Sequence, residues 1–128
     1  MARTAAQRKA AKTQAMPLRE MSEAQYQGWI IEQAQAAGWV LQFHVLRGQV
    51  KGGQWVTNTS SRGVPDLWLL RPSTGQLVVL EVKAWRGRPT PEQLQWVAGL
   101  QSVPGVEAFI VGPADAADVL DLLARPRA

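Results

Sequence analysis

The stretch GVPDLWLLRPSTGQLVVLEVKAW, Gly63 to Trp85, is the part of the sequence that decides the fold. Two apolar runs flank the turn sequence RPSTG, which predicts neighbouring β-strands over about 64–70 and 76–84. Three charged residues interrupt these runs where a strand is normally buried: Asp66, Glu81 and Lys83. Because burying a charge is costly unless it is paired or binds a metal, these three positions need an explanation.

The segments on either side of these two strands are predicted to form helices and further strands, which gives the chain an α/β pattern. The predicted elements are, in chain order, a helix over 22–37, strands over 39–46, 64–70 and 76–84, a helix over 90–101, a strand over 106–111 and a helix over 114–124. The segment 47–63 is either a long mobile loop or a loose hairpin that turns at Gly52-Gly53. This order predicts a mixed sheet covered by helices.

Length and composition limit the class of protein. The 128 residues suit one domain, which we place at 21–125, after a basic flexible arm at 1–20. The absence of cysteine excludes disulfides and thiolate metal sites and favours a reducing cytoplasm. No apolar run approaches the ~18 residues of a membrane span, so we expect no membrane association.

Positive charge is concentrated in two segments. Residues 1–21 carry five basic residues against Glu20 alone and so account for the net charge of +4. Residues 47–88 carry seven basic residues against only Asp66 and Glu81. This distribution suits a polyanion such as nucleic acid, although a solvated arm and ordinary surface arginines explain it equally well.

The charged residues of the central stretch have two interpretations. Successive strand side chains alternate faces, so Glu81 and Lys83 share one face, and Asp66 reaches the same place if the two strands are neighbours. Converging carboxylates form an oxygen site suited to Mg²⁺ or Mn²⁺. The alternative is a salt bridge from Lys83 to either acid, which the spacing alone favours. The preceding Gly63 and Pro65 fix an unusual backbone and favour the metal site.

The motifs around these residues resemble a known nuclease family. Pro65-Asp66 followed by Glu81-Val82-Lys83 resembles the PD-(D/E)xK signature. The fuller pattern of SRGVPDLWLL, LEVKAWRGRPTPEQLQW and an early helix with Glu23 is similar to the VRR-NUC branch, the small virus-type replication and repair nucleases of phages and bacteria. The resemblance covers about residues 22–112.

The resemblance implies an α/β fold with a restriction-endonuclease-like αβββαβ core and the hydrolysis of phosphodiester bonds in DNA. Asp66, Glu81 and the main-chain carbonyl of Val82 would bind Mg²⁺, for which Mn²⁺ would substitute. Lys83 would orient or polarise the attacking water and stabilise charge on the phosphate. An unperturbed lysine pKa of about 10.4 makes it a poor base at neutral pH, so we favour the electrostatic role.

Two further residues carry both a structural and a catalytic interpretation. Glu23 is predicted to face inward with Tyr26 and Ile30. The resemblance implies that it completes the metal site, directly or through water, and the alternative is that it stabilises the helix N-terminus. Gln93 lies near the active site by the resemblance, where it would bind water or phosphate. As the third residue after Thr90, it also fits a capping box, and both roles are compatible.

Basic residues near the two motifs are predicted to contact DNA phosphates: Arg47, Lys51, Arg62, Arg86 and Arg88. Solvated loop charge is the alternative. Trp85 and Trp96 are expected in the core or in an interface, and Trp55 is the better candidate for insertion into an open junction.

The residues and the resemblance together predict a Mg²⁺-dependent DNA endonuclease; the resemblance implies selectivity for branched DNA such as Holliday junctions and a role in DNA repair or in phages. Cutting both strands of a junction calls for two active sites, so we expect a homodimer. The alternatives are a non-catalytic nucleic-acid-binding or assembly module with the same fold and a restriction-type endonuclease.

Overall fold

The computed structural model of the protein describes residues 16–44, 49–51, 54–56 and 62–125. Its helices and strands, in chain order, are a 3-10 helix (Leu18–Glu20), α1 (Glu23–Ala36), β1 (Leu41–His44), β2 (Gln49–Lys51), β3 (Gln54–Val56), β4 (Leu67–Arg71), β5 (Gln76–Val82), α2 (Pro91–Gln101), β6 (Val106–Val111), a second 3-10 helix (Pro113–Asp115) and α3 (Ala116–Ala124).

Four strands form one mixed sheet in the order β1-β4-β5-β6. β4 pairs antiparallel with both β1 and β5, whereas β5 pairs parallel with β6. β2 and β3 form a separate antiparallel pair, which supports the hairpin interpretation of the segment after β1, although its turn at 52–53 lies outside the described residues. The predicted α/β class with a mixed sheet is confirmed.

Hydrophobic side chains fill both faces of the sheet. The face that carries Val78, Leu80 and Val82 of β5 packs against α1 and α3. The opposite face carries Val79, which packs against Ala108 of β6 and Val97 of α2. This alternation along β5 places Glu81 on the face covered by α2, because Glu81 is two residues from Val79.

Several predicted boundaries are wrong. The strand expected over 64–70 begins only at Leu67, and the strand expected over 76–84 ends at Val82. The strand expected over 39–46 begins at Leu41; Trp39, which precedes it, is fully buried, and its indole Nε1 donates to the carbonyl of Leu123 at 2.9 Å. The last α-helix begins at Ala116 and not at 114. A 3-10 turn precedes it, in which Asp115 Oδ2 accepts a hydrogen bond from the N–H of Gly112 at 2.8 Å.

The end of the sheet formed by the β4–β5 turn is held by Arg71. Its buried guanidinium donates to the carbonyls of Ala37 and Leu123, each at 3.2 Å, and lies 4.6 Å from the ring centre of Trp39. Both carbonyls lie at helix C-terminal ends, where a cation is favourable. The motif residues lie at the other end of β5. Among the described residues, no helix has the length and hydropathy needed to cross a membrane.

Candidate active site

The neighbouring strands β4 and β5 bring Asp66 and Glu81 together. Leu67 pairs with Leu80, so one further step of the antiparallel register places Asp66 across from Glu81 on the same face. The side chain of Asp66 bridges the strands, because its Oδ2 accepts a hydrogen bond from the Val82 N–H at 3.1 Å. The predicted convergence of the two carboxylates therefore follows from the register of the sheet.

Both acids are shielded from solvent. Glu81 is fully buried and Asp66 is 9% exposed. Withdrawing a carboxylate from water costs several kcal/mol, on the order of the net stability of a small domain. Lys83, also buried, follows Glu81 by two residues and continues the same face of the chain just beyond the end of β5.

The donor set fits a hard divalent cation. Asp66 and Glu81 offer carboxylate oxygens, and the N–H and C=O of one strand residue point to the same side of the strand, so the Val82 carbonyl is directed toward Asp66. No group of three or more acidic, histidine or cysteine side chains that could hold a metal occurs among the described residues. Two carboxylates, a carbonyl and water suit Mg²⁺, which keeps several waters and takes one or two carboxylates.

Gly63 connects the two motif segments. It adopts a φ of +82°, and a Cβ atom there would lie 2.6 Å from the carbonyl carbon of Glu92 in the first turn of α2. Only glycine allows this conformation together with this contact. The backbone before Asp66 is thereby held against the helix turn that carries Gln93.

Gln93 is buried and forms the predicted capping box. Its Oε1 accepts from the Thr90 N–H at 2.8 Å, and its own N–H donates to Thr90 Oγ1 at 3.2 Å. The capping box uses one end of the amide only. The Nε2 group, with its two N–H donors, is not part of the box, so the structural and catalytic interpretations are compatible.

The prediction that Glu23 faces inward is wrong. Its side chain is 52% exposed, whereas Tyr26 and Ile30, further along α1, are fully buried. Glu23 lies in the first turn of α1, at the solvent edge of the buried stripe. Its Oε1 is 4.0 Å from Lys83 Nζ, so it contacts the site through the lysine.

Tyr26 holds the loop that follows β6. Its hydroxyl donates to the Gly112 carbonyl at 2.8 Å, and burial, together with the charge of Asp115, raises the pKa of this phenol well above its ordinary value. Tyr26 therefore stays neutral and acts as a structural donor. The same loop is joined to the site by the Lys83 N–H, which donates to the Val111 carbonyl at 2.9 Å.

The exposure of the predicted phosphate-binding arginines agrees with their expected role, whereas that of Trp85 and Trp96 excludes one of the two positions predicted for them. Arg62, Arg86 and Arg88 are exposed, as phosphate contacts require. Trp85 and Trp96 are expected in the core or in an interface; exposed fractions of 43% and 38% exclude the core, and the interface stays a prediction. The predictions for Arg47 and for the side chains of Lys51 and Trp55 lie outside the described residues.

Sequence reasoning missed a cleft of about 260 Å³ beside Lys83, between the turn at Trp85-Arg86 and the loop Gly112–Asp115. The parallel pairing of β5 with β6 brings that loop to the end of β5, and no local motif marks such pairing. A larger concavity of about 410 Å³ lies between β6 and α3. It is lined by Asp115, Asp118 and Asp121, whose charge disfavours a polyanion.

In comparisons with family models, curated proteins and solved structures, nothing matches this chain. The resemblance to the VRR-NUC branch of the PD-(D/E)xK nucleases therefore depends on the motif residues alone.

Proposed function

We propose that this protein is a metal-dependent DNA endonuclease with a restriction-endonuclease-like core. The observation that carries the proposal is the buried pair of Asp66 and Glu81, set across neighbouring strands on the face that also carries Lys83. Asp66, Glu81 and Lys83 together carry one excess negative charge in a buried place, which a bound divalent cation would offset and a salt bridge with Lys83 alone would not. A site that binds Mg²⁺ and a phosphate explains all three residues.

Asp66, Glu81 and the Val82 carbonyl would hold Mg²⁺, with Mn²⁺ as a substitute. When bound, the ion lowers the pKa of a coordinated water and stabilises negative charge on the phosphate. Lys83 supplies a fixed positive charge for the phosphate oxygens as charge develops in the transition state. Water attacks phosphorus in line with the leaving oxygen, and the P–O bond opposite the water breaks.

Gln93 and Glu23 lie beside the proposed metal ligands and would help to bind and orient the phosphate. The Nε2 donors of Gln93 lie at the N-terminus of α2, where the helix dipole also favours an anion, and would contact a phosphate oxygen or the water. Glu23, 4.0 Å from Lys83 Nζ, would position the ammonium. Neither residue would bind the metal ion itself: Gln93 would act on the phosphate or the water, and Glu23 on the lysine that binds the phosphate.

The exposed residues Arg62, Arg86 and Arg88 would position DNA by its phosphates and read no base sequence. We take the selectivity for branched DNA such as Holliday junctions, and the action as a homodimer, from the family resemblance. Two symmetric active sites would cut both strands of a junction. Light scattering with and without junction DNA tests the dimer.

The decisive assay incubates the protein with a four-way junction, linear duplex or single-stranded DNA, in Mg²⁺, Mn²⁺ or EDTA. We expect metal-dependent cutting that is lost in Asp66→Asn and Lys83→Ala. Asp121→Asn is the matched control, because Asp121 lies on α3 with a side chain 78% exposed. Circular dichroism verifies that each variant is folded.

Two outcomes would overturn the proposal. Undiminished cutting by folded Asp66→Asn would remove the carboxylate pair from the chemistry. Tight binding of DNA without cutting under any metal would favour the alternative, a non-catalytic nucleic-acid-binding module. Equal cutting of all three substrates would refute the structure selectivity alone.

A further inference from the structure

The cleft beside Lys83 has one wall that is aromatic and basic and one wall that carries an acidic residue. One wall is the turn formed by Trp85 and Arg86, which follows β5, and the other is the loop Gly112–Asp115, which follows β6. Lys83 lies at the junction of the two walls and also belongs to the proposed active site. Whatever occupies the cleft would therefore adjoin the phosphate that Lys83 binds.

The aromatic wall is held in one conformation. Arg86 adopts a φ of +62°, and the Gly87 N–H closes the turn by donating to the Ala84 carbonyl at 2.9 Å. A Cβ atom at Gly87 would lie 3.0 Å from that carbonyl oxygen and 3.3 Å from Lys83 Cβ. This packing fixes the turn relative to Lys83, although Trp85 itself remains 43% exposed.

The opposite wall is equally constrained. The Tyr26 hydroxyl donates to the Gly112 carbonyl at 2.8 Å, and the Gly112 N–H donates to Asp115 Oδ2 at 2.8 Å. A cleft with two fixed walls needs little reorganisation to receive a ligand, which lowers the entropic cost of binding.

The chemistry of the lining suits an aromatic ligand on a phosphate chain. Trp85 presents an exposed indole, and Lys83 and Arg86 supply positive charge beside it. Asp115 at the far wall offers a carboxylate that accepts a hydrogen bond from an N–H group of an unpaired base, whether an exocyclic amino group or the N3–H of thymine. A volume of about 260 Å³ equals roughly nine water molecules, the size class of one nucleobase and too small for a base pair.

We propose that this cleft binds a single unpaired nucleobase of the DNA strand whose phosphate lies at Lys83, with Trp85 as the stacking surface. The proposal depends on the proposed nuclease function for its biological role. It explains structure selectivity in physical terms: a base leaves the duplex stack readily at a branch point, flap or bulge, and only such DNA fills the cleft.

The test compares Trp85→Ala and Trp85→Phe with the control Trp96→Ala, whose tryptophan is 38% exposed on α2 outside the cleft. Fluorescence anisotropy in EDTA measures binding of a labelled oligothymidylate. Removing one base–aromatic stack should weaken binding about tenfold or more in Trp85→Ala, whereas Trp85→Phe and Trp96→Ala should stay near wild type.

A second variant fills the cleft from the other side and leaves Trp85 in place. Ala114 is an exposed residue of the loop wall, so Ala114→Leu should retain the fold and block the base. We expect it to weaken oligothymidylate binding as Trp85→Ala does. Wild-type binding by folded Ala114→Leu and Trp85→Ala would overturn the proposal.

Cutting assays separate this proposal from the nuclease proposal. If the wild-type protein cuts DNA, Trp85→Ala should lose its preference for a duplex with an unpaired nucleotide next to the cut over a fully paired duplex. If Trp85→Ala cuts DNA with an unchanged preference, the base-binding role of the cleft is refuted and the nuclease proposal is not affected. Absence of cutting by wild type, with oligothymidylate binding still lost in Trp85→Ala, would refute the nuclease and support the base-binding cleft.

Discussion

Gly63 and Glu92 meet so closely that a Cβ atom on the glycine would lie 2.6 Å from the carbonyl carbon of the glutamate. Gly63→Ala should therefore destabilise the fold by about 2–4 kcal/mol, from the left-handed φ and from the forced displacement of α2. Thermal unfolding measures the loss. Gly28→Ala is the control: nothing lies within 4 Å of its Cβ position in α1, and alanine there should stabilise by about 0.5–1 kcal/mol.

Because α2 carries Gln93, the same substitution should reduce cutting at temperatures where the variant is still folded. Full activity in folded Gly63→Ala would show that the distance between Asp66 and Gln93 does not matter for the reaction.

Glu81→Gln should abolish cutting and the stabilisation of the protein by Mg²⁺. The amide keeps the shape of the fully buried side chain but loses the charge that a divalent cation requires. Mg²⁺ should raise the Tm of the wild type and leave that of Glu81→Gln unchanged, since ligand binding stabilises only a competent site. A rise in Tm with Mg²⁺ as large in Glu81→Gln as in the wild type would contradict the view that Glu81 binds the metal.

Lys83→Met should reduce the rate of cutting far more than Glu23→Gln does. Loss of the lysine removes a charge aimed at the phosphate and should slow single-turnover cutting about 10²–10³-fold. Glu23 is 52% exposed at 4.0 Å from the ammonium, so Glu23→Gln should change stability by less than about 0.5 kcal/mol and cutting by less than tenfold.

Glu20→Gln, another exposed acid close to α1, is the matched control for Glu23. If Glu23→Gln were as damaging as Lys83→Met, Glu23 would belong among the metal ligands and not among the residues that position the lysine.

Gln93→Glu separates the two roles of this residue. Glutamate keeps the capping acceptor for the Thr90 N–H but introduces a charge at a buried position, so the Tm should fall and cutting is compared at temperatures where the variant is folded; Thr90→Ala, which loses only the cap, should cost about 1 kcal/mol. The variant exchanges an amide donor for a carboxylate that repels phosphate, so cutting should fall by about tenfold or more. Wild-type cutting by Gln93→Glu would restrict the glutamine to capping.

Tyr26, the single tyrosine of the chain, should ionise only when the protein unfolds. Its raised pKa in the folded state means that its stabilising contribution is complete below the unfolded value of about 10 and decreases as the pH rises above it. An alkaline titration followed by tyrosinate absorbance and circular dichroism should show both signals changing together. Tyrosinate appearing in a folded protein would contradict this coupling.

The sequence predicted those parts of the site that depend on local pattern. Alternation along β5 predicted that Glu81 and Lys83 share a face, and the spacing from Thr90 to Gln93 predicted the capping box. The approach of Glu23 to Lys83 could not be predicted, because it depends on how α1 crosses the end of the sheet. The exposure of Trp85 was missed for a similar reason: local periodicity carries no information about which face of a turn remains uncovered.

The pairing of His44 with Leu67 makes the last residue of β1 a direct neighbour of the first residue of β4. The chain leaves the sheet after His44 and re-enters it at Leu67, immediately after Asp66. Doubling the length of a loop whose ends are held together costs only about 0.6 kcal/mol of free energy. Insertions and deletions in this segment should therefore change the stability of the sheet very little. In the proposed nuclease, the sheet would therefore hold the metal ligands in place, and the chain between β1 and Arg62 could change in length to suit another DNA shape.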